Sequence, residues 1–142
     1  MARDDEDVRR CLEVDHHGNA EEAASQLRVE RVDLNRDGHA DYLVNPGDAC
    51  SGIGANNVPL FTYLWTPGGY RMLFDENGLG IRSRKTLTNG YFDISVWSHA
   101  SGNDMEETVY KFKGGSYQAL ECLTHKYDDA RHRFFRAVRH PC

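Results

Sequence analysis

The stretch "VPLFTYLWTPGGYRMLFD", residues 58–75, holds two runs of aromatic and aliphatic side chains joined by Thr66-Pro67-Gly68-Gly69. Such runs suit a pleated, half-buried surface, and Pro followed by Gly is a turn signal. The stretch therefore predicts an antiparallel β-hairpin. The device recurs downstream. "KTLTNGYFDISVW" (85–97) sets Asn89-Gly90 between alternating runs, and this dipeptide suits a two-residue hairpin turn because both positions tolerate positive φ. "ETVYKFKGGSYQALECL" (107–123) repeats it with Gly114-Gly115. Upstream, "RVERVDL" and "DYLV" flank a short acidic loop. Successive strands joined by short turns imply an antiparallel meander, curved into a half-barrel or a sandwich.

The ends read differently. Residues 1–27 predict helices packed on the sheet: Val8 and Leu12 share a face, "HHGN" breaks the pattern, and Asn19 with Glu22 matches a capping box. Residues 126–142 carry Phe134, Phe135 and Val138 among Arg131, Arg133, Arg136 and Arg139, which reads as a short amphipathic helical segment. The fold class is thus α+β, mainly β. The 142 residues form a single domain with a β body over residues 28–125, and "ENGLG" (76–80) is a turn within it.

Composition narrows the function. Apolar content of 39% and charged content of 27% are those of a globular chain. A net charge of −5 argues against nucleic-acid binding, which needs a basic excess to displace phosphate counterions. No apolar run approaches the ~20 residues that span a bilayer. "MARDDEDVRR" lacks the apolar stretch of a signal peptide, so the compartment is read from the cysteines.

Cys11, Cys50, Cys122 and Cys142 form no C-x-x-C pair, which disfavours zinc and thioredoxin-type chemistry. An even, widely spaced set suggests two disulfides in an oxidising compartment, periplasmic or secreted. Three connectivities exist; Cys11–Cys142, tying the termini, with Cys50–Cys122 across the body is the expected one.

The acidic loop "DLNRDGHAD" (33–41) alternates oxygen-bearing residues around Gly38. Ca²⁺ wants six or more hard oxygen ligands. Asp33, Asn35 and Asp37 could offer side-chain oxygens, His39 its carbonyl and Asp41 its carboxylate. Three carboxylates this close repel unless a cation neutralises them. The twelfth position is Val44, where an EF-hand would place Glu. The pattern D-x-N-x-D-G-x-x-D therefore resembles the calcium loops of FG-GAP and VCBS-type repeats, in which the loop joins two strands. The resemblance implies a structural calcium site. It covers about a dozen residues in one copy, too little for a propeller.

Seven histidines raise the question of catalysis, but no H-E-x-x-H, G-x-S-x-G or phosphate-binding glycine loop occurs, and Ser98, His99 and Asp104 lie too close in sequence to converge as a triad. A non-enzymatic role is expected. Overall the chain resembles small periplasmic inhibitor or immunity proteins of cell-wall hydrolases, of the type that neutralises type VI secretion amidases. That resemblance implies a protein partner, an amidase, lysozyme or other toxin effector, blocked by loop insertion, and leaves room for a homodimer. Two polar loops, residues 45–57 and 98–107, offer contacts: Asp48, Ser51, Asn56 and Asn57 in one, and His99, Ser101, Asn103 and Asp104 in the other. Their acids would steer a basic partner. The alternative is a calcium-stabilised adhesion or carbohydrate-binding module, with Trp65, Tyr91 and Trp97 as stacking platforms.

Overall fold

A computed structural model describes residues 19–46 and 58–142 of the chain. The described part is mostly β, arranged as two antiparallel sheets and a short ribbon. The first sheet has the order β1 (Arg28–Val32), β2 (Asp41–Asn45), β3 (Val58–Thr66), β4 (Gly69–Gly78). The second runs β11-β8-β7-β6-β5, built from β5 (Gly80–Thr88), β6 (Tyr91–His99), β7 (Met105–Lys113), β8 (Ser116–His125) and β11 (Val138–His140). Strands β9 (Tyr127–Asp128) and β10 (Arg133–Phe134) pair with each other. Neither sheet closes into a barrel among the described residues.

The three hairpins expected from turn residues form. Thr66 pairs with Gly69, Thr88 with Tyr91 and Lys113 with Ser116. Asn89 and Gly90 sit at φ 52° and 85°, the double left-handed geometry that matches strand twist across a two-residue turn. "ENGLG" is not a turn. Its Gly78 ends β4 and its Gly80 begins β5, so it is the corner where the chain crosses from one sheet to the other.

Both sheets bury one side in a shared core. Leu43 and Leu60 of the first sheet meet Ile81, Ile94, Val96 and Tyr110 of the second. Complete burial of a Leu or Ile side chain stabilises by about 1.5–3 kcal/mol, so this alternation holds the layers together. Leu34, from the acidic loop, is fully buried in the same cluster. Its carbonyl accepts the Phe92 N–H at 2.8 Å, so the loop is stitched to β6. Aromatic rings fill one end: Phe74 lies 4.9 Å from Tyr110 and 5.6 Å from Tyr117. The two phenols donate to Glu76 Oε2 and to the Phe92 carbonyl, each at 2.7 Å, and burial raises the pKa of both.

The terminal expectations need correction. The segment around Val8 and Leu12 lies outside the described residues. The second N-terminal helix is α1 (Ala20–Ser25), a six-residue turn and a half. Asn19 caps it, Oδ1 accepting from Glu22 N at 3.1 Å. Its Glu21, Glu22, Ala24 and Ser25 are exposed, and the following Leu27 packs beside Val44, Phe61 and Tyr63. A helix this short has too few turns to present an apolar face. Residues 126–142 are not helical either. The free edge of β8 offers unpaired backbone groups, and β11 takes them through Val138↔Thr124 and His140↔Cys122.

The same pairing explains the disulfide. Cys122 bonds Cys142, with Cα atoms 5.1 Å apart, because β11 brings the chain end back beside β8. This replaces both expected pairs, Cys11–Cys142 and Cys50–Cys122; Cys11 and Cys50 lie outside the described residues. Among the described residues no helix is long and apolar enough to cross a membrane.

Candidate functional site

The acidic loop is organised by hydrogen bonds to backbone amides. Asp33 accepts from Asp37 N at 3.0 Å and from Gly38 N at 2.9 Å. Asp37 accepts from His39 N at 2.8 Å, which lowers its pKa. Asn35 gives its amide nitrogen to Asp37 Oδ2 at 3.0 Å. Asp41 is fully buried; it takes Leu34 N at 2.7 Å on one oxygen and Trp65 N at 2.8 Å on the other. His39 stacks its ring on Trp65 at 3.4 Å. Each of the three carboxylates thus accepts at least one backbone amide.

The five predicted ligands, Asp33, Asn35, Asp37, His39 and Asp41, are brought together in this one loop by those bonds. Among the described residues no group of three or more His, Cys, Asp or Glu side chains could hold a metal ion. Calcium at this loop rests on residue spacing alone, and a thermal melt decides it. The hydrogen-bonded loop predicts coincident midpoints in millimolar calcium and in chelator. A midpoint raised by several degrees in calcium would show that the loop takes the ion.

The second predicted contact loop is shorter than its sequence suggested, because β6 runs to His99 and β7 starts at Met105. Residues 100–104 form a closed turn, with Ala100 N on Asp104 O and Asp104 N on Ser101 O, both at 3.0 Å. His99, Ser101 and Asn103 are exposed. Asp104 is half-buried, and its Oδ1 accepts Tyr127 N at 2.9 Å. Asn103 donates to Asp129 at 2.9 Å. These two bonds fasten the loop to the C-terminal ribbon. Asp48, Ser51, Asn56 and Asn57 lie outside the described residues.

The ribbon itself was not singled out from sequence as a contact surface. Phe134 and Phe135 are 48% and 50% exposed, and Val138 is 57% exposed. Arg131, Arg133 and Arg136 are exposed around them. Phe134 keeps an edge contact with Tyr127, ring centres 5.1 Å apart. Isolated exposed apolar residues are ordinary, but two adjacent phenylalanines among arginines match the composition of interface centres.

A cleft of about 880 Å³ opens between the edge strands β1 and β5. Arg28, Arg82, Arg84 and Lys85 line it, with Leu43, Ile81 and Trp97 supplying apolar wall. Its acids are engaged. Glu30 accepts Ser83 N at 3.2 Å and also the Ser83 hydroxyl. Glu107, 6% exposed, accepts Ser95 Oγ at 2.6 Å, pairs with Arg84, and faces His125 Nε2 at 3.0 Å. The carboxylate stands between serine and histidine. A serine nucleophile needs the histidine in the middle, to take its proton, so these three residues do not compose that relay.

No protein-family model, known protein or solved structure matches the chain.

The proposed sugar-stacking aromatics are engaged with other rings. Trp65 lies under His39, Tyr91 stacks on Phe112 at 3.7 Å, and Trp97 packs on His125 at 4.6 Å. Sequence reading missed the cleft because its parts come from strands about 50 residues apart: Glu30 reaches Ser83. The run "IRSRK" (81–85) was the available signal, a basic stretch that departs from apolar alternation within a strand.

Proposed function

We propose that the chain is a non-enzymatic binding protein of an oxidising compartment, periplasmic or secreted, which inhibits a cell-wall-degrading enzyme in the manner of an immunity protein. The observation that carries this reading is the surface formed by the 100–104 turn and the C-terminal ribbon. The turn is held by its own backbone bonds and by Asn103–Asp129 and Asp104–Tyr127. A surface already fixed before association loses little conformational entropy on binding, so more of the contact energy appears as affinity. Phe135 and the neighbouring arginines supply the side-chain types that dominate binding energy.

The disulfide supports the compartment. Cys122–Cys142 closes the segment that contains β9, β10 and β11, with a sequence separation of 20. A link over such a span contributes about 3 kcal/mol by limiting the unfolded chain, and it persists only where thiols are not kept reduced.

Charge adjusts the expected partner. The described end of the molecule presents Arg131, Arg133 and Arg136, while Asp104 is tied to the backbone. An acidic rim on the target enzyme is therefore the better complement here, with charge acting mainly on the association rate.

The test is direct. A complex with a peptidoglycan amidase or a lysozyme that survives size exclusion and abolishes the enzyme's activity is expected. Phe135→Ala with Arg136→Glu should weaken that complex about thirtyfold, the scale of a hot-spot loss, while leaving the melting midpoint of the free protein unchanged. Failure to bind or inhibit a panel of both enzyme classes would remove the proposal.

A further inference from the structure

The cleft between β1 and β5 is unexplained by the surface assigned above, and its chemistry is specific. Every residue from 79 to 86 lines it, as do Arg28, Val29 and Glu30. A strand that presents only one face to a cavity contributes alternate residues. Consecutive residues on both walls mean that the strands present their edges. In each sheet these edges are terminal: β1 pairs only with β2, and β5 only with β6.

A free strand edge offers backbone donors and acceptors to an added strand. One donor on this edge is visibly taken by a side chain. The Glu30 carboxylate accepts the backbone N–H of Ser83 at 3.2 Å together with its hydroxyl. Beyond Ser83 the pairing of β5 with β6 is interrupted until Leu87, so residues 84–86 lack regular partners in their own sheet.

Charge selects the occupant. Among the described residues the side chains of Arg28, Arg82 and Lys85 have no ion-pair or hydrogen-bond partner, while both acids of the cleft are engaged. Three uncommitted cations flank an edge that already holds a carboxylate.

We propose that this seam binds an extended acidic peptide, added as a strand along β5, with its carboxylates against Arg28, Arg82 and Lys85. Glu30 is the intramolecular stand-in: it occupies the Ser83 amide until a peptide carbonyl or carboxylate displaces it. Apolar side chains on alternate positions of the peptide meet Trp97, which is half-buried in the cleft wall. The chain as a whole carries −5, so the attraction is local to this seam and is screened by salt over about 10 Å at ordinary ionic strength.

A short fluorescein-labelled peptide of alternating Glu and Val, followed by fluorescence anisotropy on the full chain, tests this. Saturable binding is expected, weaker in high salt. Arg82→Glu with Lys85→Glu should weaken it about tenfold, as two exposed charge contacts would. Both residues are exposed, and an unchanged circular dichroism spectrum secures the fold of that variant. Glu30→Ala should tighten binding several-fold, an effect that loss of structure would not produce. The proposal is overturned if a Lys–Val peptide binds equally well. It is also overturned if peptide N-methylated at alternate backbone amides binds like the parent, which removes strand addition, or if free glutamate or inorganic phosphate competes at equal affinity, which makes the cleft a small-anion site.

Discussion

Asp41→Ala is expected to destabilise the protein by about 3 kcal/mol, lowering the melting midpoint by about 10 °C. The carboxylate is fully buried and divides its oxygens between Leu34 N and Trp65 N. Truncation leaves both amides without acceptors in a place water does not readily reach, and an orphaned buried amide costs about 1–3 kcal/mol. The loss also unfastens the loop at its two ends, since Leu34 is a core residue and Trp65 belongs to β3. Asp33→Ala is the comparison. Its bonds to Asp37 N and Gly38 N are exposed, water replaces them, and about 1 kcal/mol or less is expected. A calcium-held loop would make the two substitutions similarly costly and both calcium-dependent, so equal effects would sink the latch interpretation.

The pH dependence carries a further signature. Burial raises the Asp41 pKa above its ordinary 3.8, against the pull of the Trp65 and Leu34 amides. A carboxyl whose folded value is raised contributes stability that is complete below 3.8 and is lost as pH rises through the folded value. The advantage of wild type over Asp41→Ala should therefore widen as pH falls toward 3.8, whereas a salt-bridged aspartate would show the reverse.

This loop also marks the limit of what residue spacing reveals. Hairpins were legible because their determinants are local: Asn89-Gly90 and Gly114-Gly115 specify their turns within a few residues. The spacing of Asp33, Asn35, Asp37 and Asp41 was equally visible. What stabilises those carboxylates was not, because the partner of Asp41 is the backbone of Trp65, 24 residues away. The C-terminal segment failed for the same reason. Phe134, Phe135 and Val138 suit a helix face, yet the unpaired edge of β8 and the Cys122–Cys142 link draw the chain into strands. Tertiary opportunity overrode local pattern. The cleft was least legible, since an edge exists only once the order of strands in both sheets is known.

Gly78→Ala is the other substitution with a large expected effect. At the crossing between sheets, a Cβ on residue 78 would lie 2.6 Å from the Trp97 carbonyl oxygen, 2.9 Å from Val96 Cγ1 and 3.0 Å from Leu60 Cδ1. Val96 and Leu60 meet the added Cβ with side-chain methyls, which rotamer changes move at modest cost, but the carbonyl is backbone of an interior strand and cannot rotate away. That carbonyl also accepts Leu79 N at 2.6 Å, so pushing it aside breaks the bond that starts the second sheet. Overpacking without an escape route costs about 1–3 kcal/mol, and the upper end applies where backbone must shift. About 3 kcal/mol is expected. The direction of that shift matters for function. Leu79 and Gly80 line the cleft, and Trp97 forms part of its wall, so separating residue 78 from residue 97 changes the distance between β5 and the first sheet. Gly80→Ala supplies the control: a Cβ there meets nothing within 4 Å. Denaturation midpoints should fall for Gly78→Ala and stay near wild type for Gly80→Ala. Equal midpoints for the two variants would mean that the corner yields freely, and that Gly78 does not set how the two sheets meet.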